Sequence, residues 1–478
     1  MSANGLFPQE LLKWPPEQDN GLDQKHLQDT AQILENTLKK FGIVAQVVQI
    51  IPGPTVTLYE VLPAEGVAVN RIAAREADLK QALAVSAIRV VAPIPGKSVV
   101  GVEVPNPKPV LVKLREILAF EKFEPGAYTL PFALGKDIPG KPVVVDLQKM
   151  PHLLIVGAAT SGKSTCIANL LLTLLYRLTP AQLRLILIDP TRAYLSLYSD
   201  IPHLLSPPIL DRMGAVRAIK WLVSELERRL NTLSDSGAKN IESYNQEPER
   251  LGVAPMPYIV VVVDELADLM VADPRVKIED AITRLARMSS AVGIHLVLAS
   301  QRPSMDVITG LFKANIPARI AFRTTSDFDS RAVIDSKDAS CLLGNGDLLL
   351  STPNSSPLRR IQGAHVDSEE IRRVADFLKS QMKPEYVDME MESEKTKDSS
   401  APESHKSRHV SEVPKRGDSN ARDVDSKLYK EAKQFVIGQR KAWVWMLENK
   451  FGITRRQAEK IIEILKTEGI YGGDGERR

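Results

Sequence analysis

The sequence predicts an α/β protein built on a parallel sheet, with a small α+β module before it and a helical module after it. Three observations carry this. Five near-continuous apolar runs alternate with helical patterns between residues 150 and 388, as expected of parallel strands buried on both faces. A G-x-x-x-x-G-K-[ST] string separates the first run from a helix. Short β-branched runs broken by Pro and Gly precede it, and helical periodicity returns near the C-terminus.

Residues 1–27 read as a polar, Pro-containing extension. Residues 28–149 form the α+β module. A first helix places Leu27, Ala31, Leu34, Leu38 and Phe41 on one face and stops at Gly42, and β-branched runs follow at Ile43–Ile50, Thr55–Val61, Ile88–Val91 and Val99–Val104. In residues 150–388 the expected strands are His152–Val156, Leu183–Ile188, Ile259–Val263, His295–Ala299 and Ala318–Phe322. Residues 389–426 are rich in Ser, Lys, Glu and Pro with almost no aromatics, so they cannot bury enough apolar surface to fold and read as a flexible linker. Residues 427–478 suit a three-helix module.

The 478 residues carry a net charge of only +3, which excludes a histone-like binder and leaves any nucleic-acid contact to local patches. Cys166 and Cys341 lack metal-ligand spacing and fit a reduced, cytoplasmic setting. Met1–Asn20 has no basic region followed by an apolar stretch, so it is no signal peptide. No apolar run approaches the roughly 18 residues that a bilayer span needs, and no membrane anchor is expected.

Gly157, Ala158, Ala159, Thr160, Ser161, Gly162, Lys163 and Ser164 make the phosphate-binding string, between an apolar strand and the helical pattern Cys166–Tyr176. Main-chain NH groups of such a loop face phosphates, and the helix N-terminus adds positive potential. Lys163 would meet the β- and γ-phosphates of ATP, Ser164 would ligate Mg²⁺, and Thr165 would reach the α-phosphate. The run Tyr258–Val263 ends in Asp264 and Glu265. Asp264 suits the Mg²⁺ shell, and Glu265 suits polarising the attacking water. Gln301, after the strand His295–Ala299, could sense the γ-phosphate. An arginine meeting transition-state charge could be Arg302, Arg319, Arg323 or Arg331, with Lys313 a lesser candidate.

Several long strings closely resemble the FtsK/SpoIIIE DNA translocases: Met150-Pro-His-Leu-Leu-Ile-Val-Gly157, Ile201-Pro-His-Leu-Leu205, Asp264-Glu-Leu-Ala-Asp268, Gly293-Ile-His-Leu-Val-Leu-Ala-Ser-Gln-Arg-Pro-Ser304 and Leu342-Leu-Gly-Asn-Gly-Asp347. Pro52-Gly-Pro54, Ile94-Pro-Gly-Lys97 and Leu134-Gly-Lys-Asp137 resemble that family's α domain. The resemblance implies an α domain over 28–149, a RecA-like P-loop ATPase domain over 150–388 and a winged-helix γ domain over 427–478. It further implies a homo-hexameric ring around double-stranded DNA, with an arginine finger acting across subunits, first sought at Arg331 and Arg302. The implied role is chromosome segregation and dimer resolution at cell division, with a site-specific recombinase as a partner. A mobile-element DNA pump or conjugative coupling-type ATPase is the alternative. Thr160 stands where the family commonly has a third loop glycine, so strained backbone angles are expected there. Asp189-Pro-Thr191-Arg-Ala-Tyr194 lacks the Lys and Glu that the family carries after its second strand.

In the last module Thr454 is a plausible N-cap for a third helix, with Ala458, Ile461, Ile462 and Leu465 facing a core. Arg455, Arg456, Gln457 and Lys460 would lie near its start, where helix-turn-helix readers contact base edges. Residues 427–478 hold twelve Lys and Arg against seven Asp and Glu, a basic balance suited to DNA. Arg456 and Gln457 occupy positions where the family's reading helix has Asn and Arg, so a different DNA address is expected.

Overall fold

In a computed structural model, the described residues are 7–16, 22–120, 126–246, 254–270, 278–301, 310–353 and 355–389, with scattered helical residues between 432 and 465. The chain divides into two units, Met1–Lys395 and Thr396–Arg478.

The first unit holds two sheets. The smaller contains β1 (Ala45–Pro52), β2 (Val56–Pro63), β3 (Arg89–Val91) and β4 (Val100–Pro105), in the order β1-β2-β4-β3, and is antiparallel throughout. The helix Gln24–Lys40 starts at Asp23, whose carboxylate accepts from the His26 NH at 2.6 Å, and it buries Leu34 and Leu38 against Tyr59, Val61 and Val102. Gly42 (φ +68°) turns the chain out of the helix. Phe41 departs from its expected core position: it is 40% exposed, with the Arg75 guanidinium 4.6 Å above its ring. At the C-cap the backbone has already left the helical path, so the periodicity no longer aims the side chain inward.

The larger sheet has nine strands: β5 (Pro131–Asp137), β6 (Pro142–Asp146), β7 (His152–Val156), β8 (Leu183–Ile188), β9 (Tyr258–Val263), β10 (Ile294–Ser300), β11 (Ala318–Phe322), β12 (Asp347–Thr352) and β13 (Ser355–Gly363). Their order is β6-β5-β13-β12-β11-β7-β10-β9-β8. The run from β11 to β8 is parallel, and β12, β13, β5 and β6 extend it antiparallel. β5 and β6 fall within residues 28–149 of the chain yet pair into this sheet. Each parallel strand is buried on both faces. Leu153 and Ile155 of β7 pack on one side with the helices Lys163–Arg177 and Ser368–Gln381. Leu154 and Val156 pack on the other with Arg212–Ser236 and Ile278–Met288.

Part of the N-terminal extension belongs to this core. Phe7 and Leu12 are buried in it, the Phe7 ring meets Tyr176 edge-on at 5.1 Å, and the Lys13 NH donates to Glu370 Oε1 at 2.7 Å.

A buried charge network joins the two sheets. Arg360 of β13 donates to Asp347 of β12 at 2.9 and 2.6 Å and to Glu103 of β4 at 2.6 Å. Glu103 also accepts from Arg89 of β3 at 2.9 Å, and Arg89 reaches Asp338 at 2.9 Å. Every lone pair set facing inward thus meets a donor, the condition under which buried charges are tolerated.

In the second unit Ala432, Leu447, Ile461 and Leu465 are buried, and Phe435 meets Phe451 edge-on at 5.7 Å. Phe451 is helical. The expected linker, apart from Met389, lies outside the described residues.

Candidate nucleotide site

The C-terminal ends of the parallel strands gather the expected site, as open α/β sheets do. β7 runs into the loop Gly157–Gly162 and the helix Lys163–Arg177. The loop is shaped by close approaches that exclude side chains. A Cβ on Gly157 would lie 2.5 Å from both Phe322 Cβ and Ser161 Oγ. Gly162 (φ +120°) would bring one to 2.8 Å from Gly346 Cα and N. Thr160 takes the left-handed region at φ +61°, a conformation costly for a β-branched residue, and its hydroxyl donates to the Ala159 carbonyl at 2.6 Å. Ser161 is buried with its Oγ unpartnered. Ser164 is exposed and Thr165 half-buried at the head of the helix.

Asp264 and Glu265 follow β9, which is two strands from β7 across β10. Lys163 Nζ, 5% exposed, donates to Asp264 Oδ1 at 2.9 Å and lies 4.0 Å from Glu265 Oε2. Burial pushes the Asp264 carboxyl above its ordinary pKa, and the Lys163 ammonium pulls against that. Glu265 sits at φ +63°, a strained backbone of the kind found at active sites. Its carboxylate accepts from the Ser300 hydroxyl at 2.8 Å and the Gln301 NH at 3.1 Å. Gln301 therefore touches Glu265 through its main chain, while its side chain is exposed.

The residues fit a nucleotide with its metal. Gly157 and Gly162 let the loop pack on Phe322 and Gly346 where a Cβ would clash, Ser161 offers an unpartnered buried hydroxyl, and the Lys163 ammonium, next to Ser164 in the chain, meets the carboxylates of Asp264 and Glu265. A cleft of about 530 Å³ continues from Ala158 and Thr160 to Arg323, Thr324 and Asn345.

The arginines separate. Arg319 is committed internally, donating to the carbonyls of Lys313 at 2.9 Å and Val333 at 3.2 Å and to Asp335 at 3.1 Å. Lys313 is paired with Asp335 at 2.7 Å. Arg323 lines the cleft. Arg331 is 58% exposed on the helix Asp327–Ile334 and is not among the residues lining it. Arg302 lies outside the described residues, as do Arg455, Arg456 and Gln457; Lys460 is helical and half-buried.

Two parts of the site were given no role from the sequence. Ser300, the last residue of β10, holds Glu265. The turn Gly344-Asn345-Gly346, with all three φ positive at +83°, +51° and +91°, backs the phosphate loop: the Gly346 NH donates to the Ser161 carbonyl at 2.8 Å. Its Gly-Asn-Gly composition was a legible signal for left-handed backbone. After β8 the chain turns from Asp189 to Tyr194. Asp189 holds that turn, its carboxylate accepting from the Thr191 hydroxyl at 2.8 Å and from the NH groups of Ala193, Tyr194 and Leu195 at 3.1–3.2 Å. Burial pushes Asp189 up, but these donors outweigh it and its pKa lies below the ordinary value.

The FtsK/SpoIIIE family model matches residues 113–305, and the FtsK alpha domain model matches residues 6–106. The DNA translocase FtsK of Haemophilus influenzae is 40% identical over 484 residues, covering 96% of this chain and 88% of that protein. The DNA translocase FtsK of Oceanobacillus iheyensis is 42% identical and the match covers 97% of this chain but 57% of that protein. For the DNA translocase SftA of Bacillus subtilis the figures are 42%, 97% and 46%. The chain thus spans about half the length of several curated relatives it matches. Among solved structures, the pCW3 conjugation coupling protein TcpA shares the fold at a TM-score of 0.50 and 21% identity, over 73% of this chain and 99% of that one. With 40% identity sustained along nearly the whole of a curated FtsK, and both domain models matched in order, the chain belongs to the FtsK/SpoIIIE family.

Proposed function

We propose that the chain is an ATP-driven motor that moves along double-stranded DNA, acting in chromosome partition at cell division. The observation that carries this is the convergence of Lys163, Asp264 and Glu265 at the tips of β7 and β9, beside a loop built for phosphates. Relatives named DNA translocase, matched along nearly the whole chain, supply the substrate.

In this reading the main-chain NH groups of Ala159, Thr160 and Gly162 cradle the phosphates, the Ala158 NH being committed to the Arg323 carbonyl at 2.9 Å, and Lys163 leaves Asp264 to meet them. Ser164 and Asp264 would hold Mg²⁺, which neutralises charge on the phosphoryl oxygens. Glu265, fixed by Ser300 and Gln301, orients the attacking water. Arg331, exposed and away from its own chain's cleft, suits a finger donated to a neighbouring copy in a hexameric ring. The C-terminal unit, with Arg455, Arg456, Gln457 and Lys460, would read DNA as a winged helix or engage a recombinase. Among the described residues no helix is long and apolar enough to cross a membrane; a cytoplasmic location remains part of the proposal.

The test is phosphate release with and without linear duplex DNA. Duplex should raise the rate several-fold, and Lys163→Ala should abolish hydrolysis while leaving the circular dichroism spectrum unchanged. Equal rates with and without DNA would remove DNA as the substrate.

A further inference from the structure

We propose that Gln362 is a positioning residue of the phosphate-binding loop: its side-chain amide fixes two peptide planes in series, so that the Gly162 NH faces the phosphates of a bound nucleotide. The inference rests on the nucleotide reading above and extends it to a residue of β13, outside the phosphate-binding and acidic motifs.

The relay starts on the antiparallel side of the large sheet. Gln362 is buried, and its Nε2 donates to the Asn345 carbonyl at 2.9 Å. The same peptide unit carries the Gly346 NH, which donates to the Ser161 carbonyl at 2.8 Å. A planar trans peptide points its C=O and N–H in opposite directions. Gln362 on one side and Ser161 on the other therefore hold one plane between them. The next unit is oriented in the same way. The Ser161 carbonyl faces Gly346, which turns the Gly162 NH to the opposite side, where the phosphates lie in the nucleotide reading. The packing is direct: a Cβ on Gly346 would lie 3.0 Å from Gln362 Nε2, and one on Gly162 would lie 2.8 Å from Gly346.

The first plane is one that needs holding. The Asp347 NH donates to the Gly344 carbonyl at 3.0 Å, closing a β-turn whose central peptide joins Asn345 to Gly346. Turn types differ in the orientation of that central peptide, and glycine at the third position accepts φ of either sign. The other bonds of the turn fix its neighbours: the Gly346 carbonyl accepts from the Gly363 NH at 2.8 Å, and the Leu343 NH donates to Asp347 at 2.8 Å. Turned over, the central peptide would set the Asn345 carbonyl against the Ser161 carbonyl, acceptor against acceptor. The amide of Gln362 opposes this, because a carbonyl that accepts from it cannot turn away without leaving a buried donor unpaired.

The experiment titrates a fluorescent ADP analogue into the full chain for the parent, Gln362→Met, Gln362→Glu, Arg359→Met and Lys163→Ala, with melting temperatures of the nucleotide-free proteins alongside. Methionine keeps the length and removes the donor, so Gln362→Met should weaken binding about fivefold, the equivalent of one neutral hydrogen bond. Glutamate keeps the shape but faces the Asn345 carbonyl with a second acceptor, so Gln362→Glu should weaken binding further. Arg359 points to the opposite face of β13 from Arg360 and pairs with Asp137 at 3.0 Å; Arg359→Met should bind like the parent. In ATP hydrolysis Gln362→Met should raise KM by the same factor and leave kcat within about twofold, as expected when ground state and transition state lose the same contact. Parent-like affinity of Gln362→Met and Gln362→Glu overturns the proposal, and a lowered melting temperature beside it marks a merely structural glutamine. An equal loss in Arg359→Met also overturns it, since any disturbance of the strand would then suffice. If the parent binds no better than Lys163→Ala, the nucleotide reading fails and takes the proposal with it, a result distinct from a parent that binds well beside Gln362 variants that bind equally well.

Discussion

Replacing Arg360 with Met tests whether the buried charges between the sheets stabilise the first unit. Arg360 is 5% exposed and makes three charge-assisted hydrogen bonds, two to Asp347 and one to Glu103. Methionine fills a similar volume but donates nothing. Glu103 keeps Arg89 at 2.9 Å, so the charge left without a counter-ion is Asp347, which is fully buried. Asp347 retains the Leu343 NH at 2.8 Å, a neutral donor that cannot replace a guanidinium. Removing one partner of such a pair costs about 3–5 kcal/mol. Arg360→Met with Asp347→Asn removes both charges, and the double variant should be less destabilised than the sum of the singles by about 1–3 kcal/mol. Urea unfolding followed by circular dichroism, with all four proteins compared at one pH, reads both quantities. A loss below about 1 kcal/mol for Arg360→Met would refute the argument that an unpaired Asp347 is costly. Strict additivity would refute the coupling.

Acid should weaken the fold well above the carboxylate range. Burial lowers the pKa of His152 to about 3 and those of His203 and His295 to about 4. The unfolded chain takes up these protons near pH 6.5 and the folded chain does not. Stability is therefore full above about pH 6.5 and falls progressively towards pH 3–4. At pH 5.5 each histidine should cost about 1.4 kcal/mol relative to pH 7.5, read as a lower urea midpoint; an unchanged midpoint would contradict their burial as neutral groups. Gly162→Ala should weaken nucleotide binding more than tenfold in a fluorescence titration, because its Cβ meets backbone at 2.8 Å and its φ of +120° disfavours any side chain; parent-like affinity would show that the loop relaxes freely.

The five parallel strands were legible because burial on both faces leaves no polar interruption, and their bounds agree within a residue with those expected. The antiparallel extension was less legible for a physical reason. β13 carries Arg359, Arg360 and Gln362, a composition that reads as surface, yet Arg360 is buried against Asp347 and the distant Glu103, and Gln362 is buried with its amide donating to the Asn345 carbonyl. Lys163 and Asp264 are 101 residues apart but each announces itself, one by glycines and the other by an apolar run ending in an acid. Ser300 announces nothing: its significance lies in the Glu265 carboxylate that the fold brings to it. Phe7 and Leu12 escaped notice because two apolar residues in a Pro-containing stretch have no period to report.

Glu103 is shared between Arg89 and Arg360, so it stitches β3, β4, β12 and β13 into one casting. Sliding the small sheet past the large one would strand charges on both sides at once. A chain built this way has no slip plane there. The Gly344–Asp347 turn, tied at one end to Ser161 and at the other to Arg360, makes the phosphate loop part of the same solid piece.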